Sequence, residues 1–298
     1  MMGPVTTPEG RRQLIERGAL VALVGLAVVA VVGAAMVSLY INRVASTASA
    51  LKHSESIPDY VGRPTAATDA NGSSAMNLLV AITDGSGLDA VVLANLSANR
   101  RNVTLIALPA GLRVTRTADH TLASSYAADP DMTARAVESL TGSRVDHLVQ
   151  VDLDGFAAVV DAVGGVRLDG RTLDGDGAVA AVRASDAPST TAAALIRATL
   201  VSAEPAAGMP ALAVPLDAIQ AASRCTQIDA GLTSDVIEQT LMASSVRASE
   251  IRVWPIATVS DGLGLSPDPA GLAALTSALA QPNLPTTPEY GQDAFLPR

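Results

Sequence analysis

Two aspartates bracket a glycine-rich turn, Thr83-Asp84-Gly85-Ser86-Gly87-Leu88-Asp89. Carboxylates at one sheet edge can share a hard divalent cation such as Mg²⁺, which takes oxygen ligands and keeps several waters. Aspartate also favours turns by bonding nearby backbone N–H groups, so the pattern alone admits both readings. Arg113 and Arg116 leave the sheet beyond Pro109 and Gly111, and Arg183 follows Val182. A guanidinium offers paired donors to phosphate oxygens. His53, His120 and His147 are isolated, and His147 sits on an alternating strand, where a structural role is usual. Cys225 is the single cysteine. It excludes an internal disulfide and a thiolate metal cluster, and reads as a small core residue. No Gly-x-Ser-x-Gly, phosphate-loop or zinc spacing occurs.

The elements that must position these groups are clearest in residues 129–168. Asp129 can cap a helix and Pro130 suits its first turn. Met132, Ala136 and Leu140 follow at helical spacing, and Gly142 sits where a left-handed residue ends a helix. Apolar residues alternate from Val145 to Val151, as on a strand. Asp154 can cap a second helix carrying Phe156, Val159, Val160 and Val163. Gly164 and Gly165 stop it, and Val166 to Leu168 is a short strand. Upstream, Met76–Ile82, the run from Asp89 and Val103–Leu108 read as three strands joined by tight turns, so part of the sheet is antiparallel. Downstream, Asp174–Arg183 reads as a short helix or turn. Ser189–Ser202 is a helix with Ser189 as cap. Leu216–Ser223 and Ser234–Ser244 are further helical segments, Glu250–Ile256 is a returning strand, and Asp268–Leu279 is a last helix. The fold class expected is α/β: a three-layer α/β/α domain with a central mixed sheet.

The 298 residues are 49% hydrophobic and only 2% aromatic, so the core must be aliphatic. The net charge of −9 argues against nucleic acid or an anionic membrane surface as main partner. Residues 1–17 are polar. Residues 18–41 carry no charge and are long enough to cross a hydrocarbon core of about 30 Å. The arginines before this run, Arg11, Arg12 and Arg17, place the N-terminus in the cytoplasm and the main domain outside. A cleaved signal peptide is the rival reading, with Ala48-Ser49-Ala50 as its small-residue site. Residues 42–75 read as a stalk, 76–280 as the extracytoplasmic domain and 281–298 as a proline-rich disordered tail.

The run SLTGSRVDHLVQVDLDGFAAVVDAVGGVRL, followed by Leu173-Asp174-Gly175-Asp176-Gly177-Ala178, resembles the middle of the LytR–CpsA–Psr family of envelope proteins. The resemblance runs from about Met76 to Leu200 and more weakly to about Ala280. It implies a phosphotransferase. Such an enzyme holds the pyrophosphate of a polyprenyl-linked glycopolymer with arginines and Mg²⁺ on two aspartates, the lipid in an apolar channel. It transfers the polymer to a peptidoglycan hydroxyl. Carried over motif by motif, the first aspartate is Asp84 and the second Asp89, with the arginine of the first motif absent. The family's Pro-Arg-Asp is Pro109-Ala110-Gly111, without either charge. Its Val-Arg-x-Arg is Val182-Arg183-Ala184-Ser185, with one arginine of two. The arginine-rich opening of the next helix is replaced by small residues around Thr191–Ala194. Arg113 or Arg116 could fill a vacant position.

The resemblance therefore implies a degenerate, membrane-anchored member that binds a polyprenyl-(pyro)phosphate-linked glycan or lipid with weak or no catalysis, or acts as partner of active paralogues. One alternative is an active glycopolymer–peptidoglycan phosphotransferase, with Mg²⁺ on Asp84 and Asp89 and Arg183, Arg113 or Arg116 on phosphate. Another is a non-catalytic envelope scaffold.

Overall fold

Strand β2 (Met76–Thr83), β3 (Leu88–Leu96) and β4 (Val103–Pro109) form an antiparallel meander at the centre of the molecule. A computed structural model describes residues 52–114, 120–202 and 226–285. Arg116, Cys225, the apolar run 18–41, the helical segment expected at Leu216–Ser223 and most of the tail lie outside them. Among the described residues no helix is long and apolar enough to cross a membrane.

Around the meander, β5 (His147–Asp152) lies parallel to β2, and β9 (Ile251–Pro255) lies parallel to β4. Strand β8 (Thr226–Asp229) runs antiparallel to β5, and β1 (Lys52–Ser54) parallel to β8. The described sheet thus has seven strands in the order β1-β8-β5-β2-β3-β4-β9, and it is mixed. β1 and the residues after it belong to the segment read as a stalk. Ile57 is buried in the core, and Arg63 reaches the fully buried Glu138. The segment therefore packs on the domain from Lys52 onward. The start of the expected tail is tied down as well. Leu284 is buried, and the Ala98 N–H donates to the Pro282 carbonyl.

Period-two alternation divides the strands between two cores. Leu79, Ala81, Val91, Leu93, Ile106 and Leu108 face α1 (Leu122–Ala128), α2 (Pro130–Thr141) and α7 (Pro269–Leu279). Ile82, Ala90, Val92, Leu105 and Ala107 face α3 (Leu153–Ala162), α4 (Gly175–Arg183) and α5 (Pro188–Ser202). The result is a three-layer α/β/α domain. Each fully buried aliphatic side chain contributes roughly 1.5–3 kcal/mol, which is how a chain poor in aromatics builds a core.

Local departures have physical causes. Asp129 caps α2 through the Asp131 N–H, and Gly142 ends it at φ 66°. The buried face of α2 is Ala134, Val137, Glu138 and Thr141, one position round from the expected stripe, and Met132 is exposed. Asp152, not Asp154, caps α3, because its carboxylate reaches the Gly155 N–H at 2.7 Å. Val166–Leu168 stays out of the central sheet. It pairs instead with Arg171–Leu173 across Asp169 and Gly170, both at positive φ, as a two-residue hairpin demands. These strands are β6 and β7. The last two, β10 (Thr258–Ser260) and β11 (Leu265–Pro267), form another hairpin. Helix α6 (Ser234–Ala243) follows β8.

Candidate active site

One end of the sheet gathers the C-termini of β2, β4, β5 and β9 with the start of β3. A register shift at Ile82/Thr83 precedes the last pair of the β2–β3 ladder, Thr83 with Leu88, and Gly85 turns at φ 85°. Asp84 folds back on this turn. Its Oδ1 accepts the Ser86 hydroxyl at 2.6 Å, the Ser86 N–H at 2.8 Å and the Gly87 N–H at 3.2 Å. These donors, the hydroxyl first, hold its carboxyl below the usual carboxylate range. Oδ2 makes no hydrogen bond among the described residues.

Asp89 lies on β3, partly buried, and its Oδ2 is sealed from solvent without a hydrogen-bond partner. Burial pushes its carboxyl up, the Asp84 charge pushes it further, and Arg183 opposes both. The three charges therefore share one field. Arg183 is the last residue of α4 and exposed.

Two local devices put these groups in place. The first is the Leu173–Ala178 motif. Asp174 caps α4 by accepting the Gly177 N–H at 2.8 Å. Gly175 lets α4 press against α3, since a Cβ there would collide with the Ala157 carbonyl. Asp161 of α3 accepts the Gly175 N–H at 2.6 Å. The second is Ser189. It does not cap α5. Its hydroxyl is buried between the strands, accepting from the Val91 N–H at 3.0 Å and donating to the Leu108 carbonyl at 2.7 Å. This pins the first turn of α5 to the end of the sheet.

Between these elements lies a cleft of about 630 Å³, bounded by Asp89, Pro109–Gly111, Asp186–Thr190, Pro255–Thr258 and Leu265. Its border with the first core is an apolar crevice under α7, which shares Pro255 and Ile256 and includes Trp254 and Leu275. That crevice has a volume of only about 30 Å³, room for little more than water. Sequence reasoning missed Asp186, Ser189, Thr190 and the 255–258 segment. The cluster Ser185-Asp186-Ala187-Pro188 before an apolar helix was the available signal for the first three.

Arg113 does not face Asp89. It is buried, with Nε donating to Ser266 Oγ at 3.1 Å and Nη2 paired with Asp261 and Ser266. Its backbone N–H donates to the Leu265 carbonyl, so the residue fastens the β10–β11 hairpin to the β4–α1 connection. His147 is structural: Nδ1 lies 3.2 Å from Asp229, whose carboxylate also takes the Leu148 N–H. Among the described residues no group of three or more His, Cys, Asp or Glu side chains converges as a metal site.

A family model, the LytR_cpsA_psr family, matches residues 44–176. The LytR-Csp2A-Psr enzyme from Actinomyces oris superposes with a TM-score of 0.56 at 21% identity, over 79% of this chain and 97% of that one. The chain has the LytR–CpsA–Psr fold. B. subtilis TagV superposes with a TM-score of 0.56 at 17% identity, over 72% and 99% of the two chains. A structure of TagT bound to LIIa-WTA gives 0.55 at 14%, over 74% and 98%. No curated protein sequence matches the chain. On this fold Asp84 and Asp89 occupy the strand ends beside the cleft, while Ala110 and Gly111 line it without charge.

Proposed function

We propose that the protein is a membrane-anchored cell-envelope protein of the LytR–CpsA–Psr type. It binds a polyprenyl-(pyro)phosphate-linked glycan weakly and transfers it slowly or not at all. The observation that carries this is the charge of the cleft. The charged side chains of its lining are Asp89 and Asp186, Pro109–Gly111 supply no cation, Arg183 acts on Asp89 only through its field, and Arg113 is committed to Asp261. A pyrophosphate diester carries two negative charges. Each missing charge-assisted hydrogen bond forgoes roughly 1.5–3 kcal/mol, and two of them already cost two or more powers of ten in affinity. The apolar crevice under α7 adjoins the cleft at Pro255 and Ile256, and a prenyl chain entering it would have to part α7 from β9.

A specific observation favours the second reading, an active phosphotransferase. The sealed, unpartnered Oδ2 of Asp89 and the free Oδ2 of Asp84 fit a hard cation, and two carboxylates with waters suffice for Mg²⁺. Bound there, the cation would neutralise phosphate charge. Asp84 and Asp89 would hold it, and Arg183 would orient the phosphate.

The test uses the full chain in nanodiscs with polyprenyl pyrophosphate, with and without Mg²⁺. Weak saturable binding that needs Mg²⁺ and falls about tenfold in Arg183→Gln is expected. Absence of binding under both conditions rejects the ligand. With a polyprenyl-pyrophosphate-linked glycan as donor, efficient transfer of the glycan phosphate to a peptidoglycan hydroxyl, with release of polyprenyl phosphate, that disappears in Asp84→Ala establishes the second reading instead.

A further inference from the structure

The opposite pole of the sheet carries a second cleft, of about 620 Å³. The N-terminal ends of β2 and β5 and the β3–β4 turn meet there. It is lined by Arg100, Arg144, Asp146 and His147, with Gln239 and Thr240 of α6. It shares no lining residue with the cleft at Asp89.

Arg100 is held rather than merely present. Its backbone is left-handed, φ 57°, where bulky residues are uncommon. The turn is locked by Asn99 Oδ1, which accepts the Ser97 hydroxyl and the Arg101 N–H. The Arg100 carbonyl accepts the Ser245 N–H. Its guanidinium is partly buried yet makes a single hydrogen bond among the described residues, Nη1 to the Ser97 carbonyl at 3.2 Å. Nε and Nη2 have no partner among the described residues. Desolvation depresses this cation, and Asp146 only partly offsets the effect.

Arg144 is also positioned from behind. Asn77 and Asn95 occupy core-facing strand positions and are buried. Asn95 donates to the Asn77 side chain at 2.8 Å, and Asn77 donates to the Arg144 carbonyl at 2.7 Å and to Ser143 at 3.0 Å. A satisfied buried amide network rigidifies what it touches. Both oxygens of Asp146 are engaged, one by the Asn77 N–H at 2.8 Å and one by Arg144 Nε at 3.2 Å. Asp229 is hydrogen-bonded to His147 Nδ1 and to the Leu148 N–H. Both arginines line the cleft, and among the described residues the terminal nitrogens of Arg144 and Nε and Nη2 of Arg100 have no hydrogen-bond partner.

We propose that this cleft binds a phosphate group, free or on a lipid headgroup, through the guanidinium groups of Arg100 and Arg144. Fork-shaped donors suit a tetrahedral oxyanion, and the Gln239 amide adds a neutral donor.

The full chain in zwitterionic nanodiscs, titrated with inorganic phosphate, tests this. Saturable binding is expected, weakened about tenfold by Arg100→Asn and by Arg144→Gln and unchanged by Arg171→Gln on the β6–β7 hairpin. Asparagine tolerates the left-handed backbone, so Arg100→Asn removes the cation without strain. Arg144→Gln, at a position whose backbone is not left-handed, reads the site even if Arg100→Asn misfolds. Adding phosphatidic acid to the nanodisc distinguishes the sources. Competition with inorganic phosphate assigns the cleft to a headgroup, and an unchanged affinity assigns it to soluble phosphate. Lack of binding, or binding lost in Arg183→Gln but retained in both other variants, overturns the proposal.

Discussion

Asp89 and Asp229 couple folding to pH with opposite signs. Asp89 is raised by burial and by Asp84, so the folded chain holds its proton more tightly than the unfolded one. Its ionisation therefore costs stability as pH rises from the ordinary carboxylate value through the raised one. Asp89→Asn should raise Tm by about 1–2 °C at neutral pH and leave it unchanged in acid. Asp229 is the reverse. Burial raises it, but the hydrogen bonds from His147 and the Leu148 N–H outweigh burial and leave it lowered. Its contribution is complete above the unfolded value and is lost as pH falls through the lowered one. Asp229→Asn should cost about 1–3 kcal/mol at neutral pH, the difference shrinking in acid. Thermal melts of both variants between about pH 3 and pH 8 check the two signs together. The position of the first was legible in the sequence, because an aspartate opening an apolar run after a glycine-rich turn marks the start of a strand. The second was not, since its partner His147 lies on a distant part of the chain and joins it only through β5–β8 pairing.

Elements were legible where a local signal decides them. Asp129, Pro130 and Gly142 bound α2 as their chemistry requires, and the alternation of β2 to β4 gives the meander. They were less legible where two local signals compete. Asp152 and Asp154 are both fit to cap α3, and the extended backbone at Asp152 decides for it. Ser189 looks like a cap, and the neighbouring strands take its hydroxyl instead. Long-range ties were invisible altogether. Arg63 reaches across to Glu138 at 2.9 Å and to the Val145 carbonyl at 2.7 Å, and Tyr60 donates to the same carboxylate at 2.7 Å. Burial, reinforced by that carboxylate, pushes the Tyr60 hydroxyl up to about 12. Removing one partner of such a buried pair costs about 3–5 kcal/mol, so Arg63→Ala should lower Tm by about 10 °C. Calorimetry of the full chain decides it; a shift under about 2 °C would mean the segment after β1 is not anchored by this pair. Gly175→Ala tests the other joint. The clash with Ala157 should cost about 1–3 kcal/mol. The same variant should also weaken ligand binding at Arg183, because α4 must back away from α3.

For the whole molecule, fold and charge carry separate information. Aliphatic patterning specifies both cores and the three layers whatever ligand is bound, which is why the architecture could be read from so few local motifs. The electrostatics of the cleft depends on which arginines the loops aim into it, and loops answer to tertiary contacts. Arg113 shows this: it lies near the vacant position in sequence and spends its charge on Asp261. If weak binding comes from missing cations rather than from a ruined scaffold, restoring one should strengthen it. Ala110 lines the cleft, and its backbone carbonyl accepts the Ala123 N–H, a tie that substitution leaves intact. Ala110→Arg would place a guanidinium opposite Asp89 and Asp186, in space wide enough to hold it. One charge-assisted contact to phosphate corresponds to roughly 1.5–3 kcal/mol, or about ten- to a hundredfold in affinity for polyprenyl pyrophosphate. Ala110→Gln, similar in length without the charge, should gain little. If the two variants bind alike, or neither exceeds the parent, the deficit lies in the closed crevice under α7 and not in the cleft's charge.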